Sequence, residues 1–156
     1  MRYIASTLPV LFCFYSAFAQ TSATTEVNVD MTSPVGFWKT IDDVSHDPRA
    51  IVEITQTDGK YFGHIVKTFP HEGDMPTCTE CSGDKKDKAI IGLEIIWDIK
   101  KDDDEFNGGH ILDPKNGKTY KAKLTLTEKG EKLKVRGFIG FSLLGRTQIW
   151  ERTTAP

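Results

Sequence analysis

The sequence predicts an all-β protein, an eight-stranded antiparallel up-and-down barrel with no C-terminal helix. From Val35 onward, turn signals recur roughly every 8–12 residues, a spacing typical of β-sandwiches and barrels. The segments between these turns favour an alternation of apolar and polar residues, as half-buried strands do. Eight strands in an open sheet would leave two unpaired edges, and closing the sheet into a barrel removes both. An eight-stranded barrel is just wide enough to be filled by side chains or to hold one small ligand.

The predicted strands in the first half of the chain are separated by one tight turn and one long loop. The first strand covers residues 36–40. The second covers residues 50–57 and ends at Asp58-Gly59, a strong hairpin signal that leads into a third strand over residues 60–69. A loop over residues 70–88 then precedes the fourth strand, residues 91–99.

The second half of the chain shows the clearest alternation. We predict a fifth strand over residues 106–112, a sixth over 118–126, a seventh over 132–141 and an eighth over 145–152. In the sixth strand one face carries Tyr120, Ala122, Leu124 and Leu126, whereas the other carries lysine and threonine. One dry face and one wet face are typical of an antiparallel meander.

The composition fits a single globular domain. The chain has 156 residues, of which 38% are hydrophobic and 27% charged, with a formal net charge of −2. These values exclude a disordered or fibrous chain, and they lack the basic surface expected of a nucleic-acid-binding protein. Only three cysteines are present, which excludes a disulfide-dense scaffold.

Residues 1–19 have the pattern of a secretory signal peptide. Arg2 precedes an apolar run over residues 8–18, and Ala17-Phe18-Ala19 is a small-x-small cleavage signal. The run is too short for a transmembrane helix. We therefore predict cleavage after Ala19 and an exported protein, periplasmic or secreted. Residues 20–34 are predicted to be a flexible lead-in, and residues 35–156 to form the barrel domain.

Gly36-Phe37-Trp38 at the start of the first strand resembles the lipocalin signature. That resemblance implies that Trp38 closes the base of the barrel and that an arginine from the last strand packs over it. A guanidinium on an indole face gains a cation–π interaction. Arg146 and Arg152 are the two candidates for this role.

Several motifs in order resemble the domain-of-unknown-function family 2147. The segments that carry the resemblance are Gly36 to Asp43, Cys78-Thr79-Glu80-Cys81, Gly109 to Tyr120, Val135 to Gly140 and Gly145 to Trp150. It implies an exported bacterial protein with a lipocalin-like barrel and a small hydrophobic ligand. It implies no established activity.

Three interpretations of Cys78-x-x-Cys81 compete. The first is a structural disulfide formed after export, which we favour. The second is a thioredoxin-like redox motif, which would need a βαβ context that the sequence does not show. The third is a metal site, with His71 or His64 joining the two thiolates.

The leading functional hypothesis is a non-enzymatic exported protein that holds a small, mostly apolar molecule in the barrel. The sequence contains no hydrolase, phosphate-loop or zinc-protease motif, and we predict no cofactor. The alternative is a packed barrel that acts as an envelope interaction protein through its surface and the Cys78–Cys81 loop. His64 and His110 would each offer a polar group to a ligand if they faced inward, although a structural or exposed role is the commoner one. The predicted lining residues are Tyr61, His64, Trp97, Tyr120, Leu124, Val135 and Ile139.

Overall fold

The computed structural model describes residues 29–156, which form a closed eight-stranded antiparallel barrel in the strand order of the sequence. The predicted fold class is therefore confirmed. Two single turns of 3-10 helix, Gly83–Lys85 and Glu128–Gly130, are the helical elements of this part of the chain. The strands are β1 Gly36–Ile41, β2 Pro48–Thr57, β3 Lys60–Thr68, β4 Glu94–Asp102, β5 Glu105–Asp113, β6 Lys118–Thr127, β7 Lys132–Phe138 and β8 Gly145–Thr153. The predicted signal peptide lies outside the described residues.

Pairing of the first and last strands closes the barrel, with Trp38 opposite Arg152 in register. Because consecutive strands run up and down, the connections alternate between two ends. We call one end the base, which carries residues 29–35 and the turns at 58–59, 103–104 and 128–131. The opposite, upper end carries the connections at 42–47, 69–93, 114–117 and 139–144.

Three strand bounds differ from the sequence prediction by three residues each, and one of them is the end of β4, which lies at Asp102 rather than at residue 99. β4 begins at Glu94 rather than at residue 91, because residues 90–93 form a turn in which the Leu93 amide donates to the Ile90 carbonyl at 3.1 Å. β7 ends at Phe138 rather than at residue 141. A turn closed by a 3.0 Å bond from the Leu144 amide to the Phe141 carbonyl occupies the extra residues.

The interior of the barrel is filled by its own side chains. All eight strands contribute, and Tyr61 meets Phe106 edge to face with ring centroids 5.1 Å apart. Burial of this apolar surface is the main favourable term in folding. The interior residues, all buried, are Trp38, Val52, Ile54, Tyr61, Ile65, Ile96, Ile99, Phe106, Ala122, Leu124, Leu133, Val135 and Trp150.

A second, smaller apolar layer lies outside the barrel. The connection at 69–93 folds back over the outer face of β4 and β5, where it buries Ile95 and Leu112 together with Cys78 and Cys81. The connection is itself braced, since the Cys78 amide donates to the Lys88 carbonyl at 2.8 Å. Both faces of β4 are therefore covered, one by the barrel core and the other by this loop.

Candidate functional site

The base of the barrel is closed by Trp38 and Arg152. The Arg152 guanidinium carbon lies 4.2 Å from the centre of the Trp38 ring, and the indole Nε1 donates to the Pro34 carbonyl at 2.7 Å. Arg152 also donates to the carbonyls of Ser33 and Gly130 at 2.9 and 2.7 Å. Burial lowers the pKa of Arg152, although a guanidinium stays charged at any physiological pH. This pair holds the last residues of the predicted lead-in against the barrel.

Arg146, the other candidate for this closing role, lies at the upper end instead. Its Nε donates to Asp43 Oδ2 at 2.8 Å, and its Nη2 bonds the other carboxylate oxygen. These bonds hold the pKa of Asp43 below its ordinary value. Arg146 therefore ties the β1–β2 loop to the start of β8 and takes no part in closing the base. Gly36 does take part, since a Cβ there would meet Arg152 Nη1 at 3.1 Å.

Four of the seven predicted lining residues face the interior. Tyr61, Leu124 and Val135 are buried within the packed core. Tyr120 lies half-buried towards the upper end, and its hydroxyl accepts a hydrogen bond from Asn116 Nδ2 at 3.1 Å. Tyr61, Leu124 and Val135 therefore belong to the packed core, whereas Tyr120 lies outside it.

The other three do not line the interior, which corrects the assumption of inward-facing side chains. His64 faces outward, with Nε2 3.8 Å from a carboxylate oxygen of Glu94. Trp97 also faces outward. It follows Ile96, which faces inward opposite Gly63, and successive side chains of a strand point to opposite faces. Ile139 lies beyond the end of β7, in the exposed connection to β8.

A cleft of about 280 Å³ opens on the outer face, between the disulfide loop and strands β4 to β6. We call it the outer cleft. Its floor is apolar, from Trp97 and Leu112, whereas its rim carries hydroxyl, carboxylate and ammonium groups. Its lining residues are Cys81, Ser82, Asp84, Lys85, Trp97, Leu112, Gly117 and Thr119.

Trp97 is held in place from two sides. Lys85 Nζ lies 3.9 Å from the ring centroid, and the His110 ring stacks on Trp97 at 5.7 Å with an interplanar angle of 20°. Lys85 Nζ also donates to the Glu94 carbonyl at 2.6 Å. His110 Nδ1 is buried without a hydrogen-bond partner among the described residues. The floor of the cleft is thus a fixed aromatic surface beside an orphaned polar atom.

The sequence did not identify Lys85 and Thr119 as site residues. It proposed His110 only on the condition that its side chain faced inward. The pairing of Trp97 with His110 in the β4–β5 ladder brings those two rings together on the outer face. Lys85 reaches them only because the loop folds back, and no local pattern in the sequence encodes that contact.

Cys78 and Cys81 form a disulfide, as predicted. Both are buried beneath the loop, and Cys78 Sγ lies 3.5 Å from the Pro114 carbonyl oxygen. Within residues 29–156, no group of three histidine, cysteine or acidic residues is placed to hold a metal ion. His71 and His64 do not join the two sulfurs at a common site.

A second cleft of about 120 Å³ lies on the outer face of β6 and β7. Lys123 and Glu105 form an ion pair beside it, and Arg136 lines it while bonding the β7–β8 connection. Its lining is polar throughout, without an apolar floor. The outer cleft is therefore the better candidate for a ligand that buries apolar surface.

Comparisons with known proteins agree with the fold. A structure of protein HP1028 from Helicobacter pylori, described as belonging to the lipocalin family, superposes with a TM-score of 0.67 at 17% sequence identity. The match covers 78% of this chain and 84% of that one, and at this identity it shows the fold alone. No curated protein matches the chain. In the described part, no helix has the length and apolar character to cross a membrane.

The family model described as "Uncharacterized protein conserved in bacteria (DUF2147)" matches residues 36–152, which run from the first strand to the last. The matched range includes the Gly36-Phe37-Trp38 opening, the disulfide loop and Arg152, and so contains both the base closure and the outer cleft. The chain belongs to the DUF2147 family and has a lipocalin-like barrel.

Proposed function

We propose that this chain is a non-enzymatic, exported binding protein that takes a small molecule in the outer cleft rather than inside the barrel. The observation that carries the proposal is the contrast between a filled interior and a formed cleft beneath the disulfide loop. A ligand inside the barrel would have to displace core side chains, and creating such a space costs several kcal/mol.

The cleft has the chemistry of a small-ligand site. Ligand sites combine an apolar surface with a few placed polar groups, and most enclose roughly 300–1,000 Å³. The volume of about 280 Å³ falls just below that range. Trp97 and Leu112 would remove apolar ligand surface from water, while Ser82, Thr119 and Lys85 would orient one polar group. The proposed ligand is therefore small and mostly apolar, with a hydroxyl or carboxylate.

The route of export rests on two features. Residues 1–19 carry the signal-peptide pattern, and disulfides persist in oxidising compartments such as the bacterial periplasm. A buried disulfide that braces the wall of the cleft supports a protein that works outside the cytoplasm.

Native mass spectrometry of protein purified from its own host tests the proposal directly. We expect a co-purifying small molecule, and we expect it to be lost in Thr119→Arg, which places a long side chain across the cleft mouth. Thr125→Arg is the matched control, since Thr125 lies on the outer face of the same strand and lines the second cleft. Retention of the molecule by both variants would place its site elsewhere.

The second candidate function is a packed barrel that acts as an envelope interaction protein through its surface and the disulfide loop. The filled interior favours it as much as it favours the outer cleft. Native mass spectrometry, combined with capture of protein partners from the envelope, distinguishes the two candidate functions. A protein that carries no small molecule, but whose Thr119→Arg variant no longer captures a protein partner from the envelope, would establish the second.

A further inference from the structure

The connection between β7 and β8 displays large apolar side chains to solvent. Ile139, Phe141, Leu143 and Leu144 are 64%, 81%, 88% and 74% exposed, respectively. Isolated exposed apolar residues are ordinary, but four within six positions form a contiguous apolar tip. We call residues 139–144 the apolar tip.

Four backbone groups of the apolar tip are hydrogen-bonded. The Leu144 amide donates to the Phe141 carbonyl, and Arg136 donates to the carbonyls of Ser142 and Leu143 at 2.6 and 3.2 Å. A third donor of Arg136 holds Thr147 Oγ1 at 2.7 Å. Unpaired backbone groups are costly in an apolar medium, and these bonds lower that cost for the four groups they satisfy.

A further exposed apolar side chain lies in the β1–β2 loop at the same end of the barrel. Val44, in the β1–β2 loop, is 82% exposed, and its amide donates to Asp42 Oδ1 at 2.9 Å. The ion pair between Asp43 and Arg146 joins this loop to the start of β8. Val44 and the apolar tip therefore lie at the same, upper end of the barrel, although the loop that carries Val44 also contains Asp42, Asp43 and Asp47.

We propose that the apolar tip inserts into the surface of a phospholipid bilayer and docks the barrel there by its upper end. The apolar side chains would enter the acyl boundary, as interfacial segments do to a depth of about 5–10 Å. Arg136 and Arg146 would then lie at the depth of the lipid phosphates, which they complement in charge. The protein lies on the membrane in this arrangement and does not span it.

A second copy of the chain is a poorer occupant of the same surface. Stable protein interfaces bury about 800 Å² on each partner, whereas a protruding loop with four apolar side chains offers roughly half of that. Asp42 and Asp43 also lie near Arg146 and offset its charge, and the whole chain carries a formal net charge of −2. Long-range attraction to anionic lipid is therefore small, and burial of the apolar tip drives binding.

Vesicle flotation of the purified exported protein tests the proposal. We expect binding to phosphatidylcholine vesicles, with only a small increase when half of the lipid is phosphatidylglycerol. The double variant Phe141→Ser/Leu143→Ser should lower the partition coefficient at least about tenfold, because it removes most of the inserted apolar area. The matched control is Met75→Ser/Ile91→Ser, which removes two other side chains of the upper-end connections that are 58% and 60% exposed.

A second measurement is independent of how the double variant folds. In Leu143→Trp, the new indole should shift its fluorescence to shorter wavelength when vesicles are added, and the unmodified protein gives the background from Trp38, Trp97 and Trp150. Absence of flotation by the unmodified protein, or equal losses in the two double variants, overturns the proposal. So does a monomer–dimer equilibrium without lipid that Phe141→Ser/Leu143→Ser abolishes, since the occupant would then be a second copy.

Discussion

Arg152 lies across the indole face of Trp38 at 4.2 Å and, from the same guanidinium, donates hydrogen bonds to backbone carbonyls on two other segments. One side chain thus joins the first strand, the lead-in and the β6–β7 connection at the base of the barrel. A lysine has a single point charge and no planar face, so it cannot make these contacts together.

Replacement of this arginine by lysine should therefore destabilise the barrel. For Arg152→Lys we expect the free energy of unfolding to fall by about 1–3 kcal/mol, the range for lost hydrogen bonds to a charged group. Chemical denaturation followed by tryptophan fluorescence measures it.

Arg146→Lys is the control for that experiment, because Arg146 forms a solvent-exposed ion pair with Asp43. Exposed pairs contribute less than about 1 kcal/mol. An equal loss of stability in both variants would contradict the assignment of Arg152 as the residue that closes the base.

The disulfide should stabilise the loop more than the barrel. A cross-link across such a short loop is worth about 2 kcal/mol by the chain-entropy relation. We expect the double variant Cys78→Ser/Cys81→Ser to lose about that much stability and to exchange the amides of residues 76–90 faster, while the amides of β6 and β7 stay protected. Hydrogen exchange with mass spectrometry resolves the two regions. The double variant should also be insensitive to a reducing agent that destabilises the unmodified protein.

Gly117 holds the β5–β6 turn against the disulfide loop. Its φ is +68°, and a Cβ there would collide with the backbone carbonyl of Glu80. Gly117→Ala should therefore both strain the turn and push the loop away, which opens the outer cleft and weakens ligand retention there. Thermal unfolding and native mass spectrometry follow the two effects.

Gly59→Ala separates the two causes, because Gly59 has a similar φ of +75° but open space around it. We expect this control to lose about 1 kcal/mol, as a glycine at positive φ does, with no change in the cleft. If Gly117→Ala were no worse than Gly59→Ala, the close packing of the turn on the loop would be refuted.

The ion pair between Asp43 and Arg146 should make the stability of the protein depend on pH in acidic solution. The hydrogen bonds from Arg146 lower the pKa of Asp43 in the folded protein relative to its value in the unfolded chain. A lowered folded pKa contributes stability that is present above the unfolded value, about pH 4, and is lost as the pH falls through the folded value. We therefore expect Asp43→Asn to flatten the loss of stability as the pH falls below about 4. Urea titrations across that range measure the slope, and an unchanged slope would count against the pair.

If the chain is exported, cleavage after Ala19 should lower its mass by that of residues 1–19. The protein recovered from the periplasm or the medium should begin at Gln20, and intact mass spectrometry reads the start directly. Ala19→Arg, which spoils the small-x-small cleavage signal, should leave a longer precursor. A protein that begins at Met1 in the cytoplasm would refute export by this route.

The sequence predicted the barrel well, since alternation and turn chemistry are local signals. It predicted Tyr61, Leu124 and Val135 as interior residues for the same reason. His64 stands between Gly63 and the inward-facing Ile65. Alternation along β3 therefore predicts an outward-facing His64, in disagreement with its place among the predicted lining residues.

Trp97 is a different case, because the local pattern around it is misleading. Ile95, Ile96 and Trp97 form a continuous apolar run, since the barrel core covers one face of β4 and the disulfide loop covers the other. Asp98, with a φ of +59°, interrupts the strand, so that Ile96 and Ile99 both face inward at an irregular spacing. Contacts made by a long loop and a bulge are set by tertiary packing, which period-two patterns do not contain.

The filled interior separates two demands that an open barrel must meet with the same residues. In a barrel with a cavity, any change that adapts the wall to a new ligand also alters the packing that keeps the sheet closed. Here the interior side chains pack against one another, and the exposed residues of the outer cleft and of the upper-end loops lie outside that interior. A substitution at an exposed position of the cleft rim, such as Ser82 or Thr119, is thereby kept apart from the packing that closes the barrel.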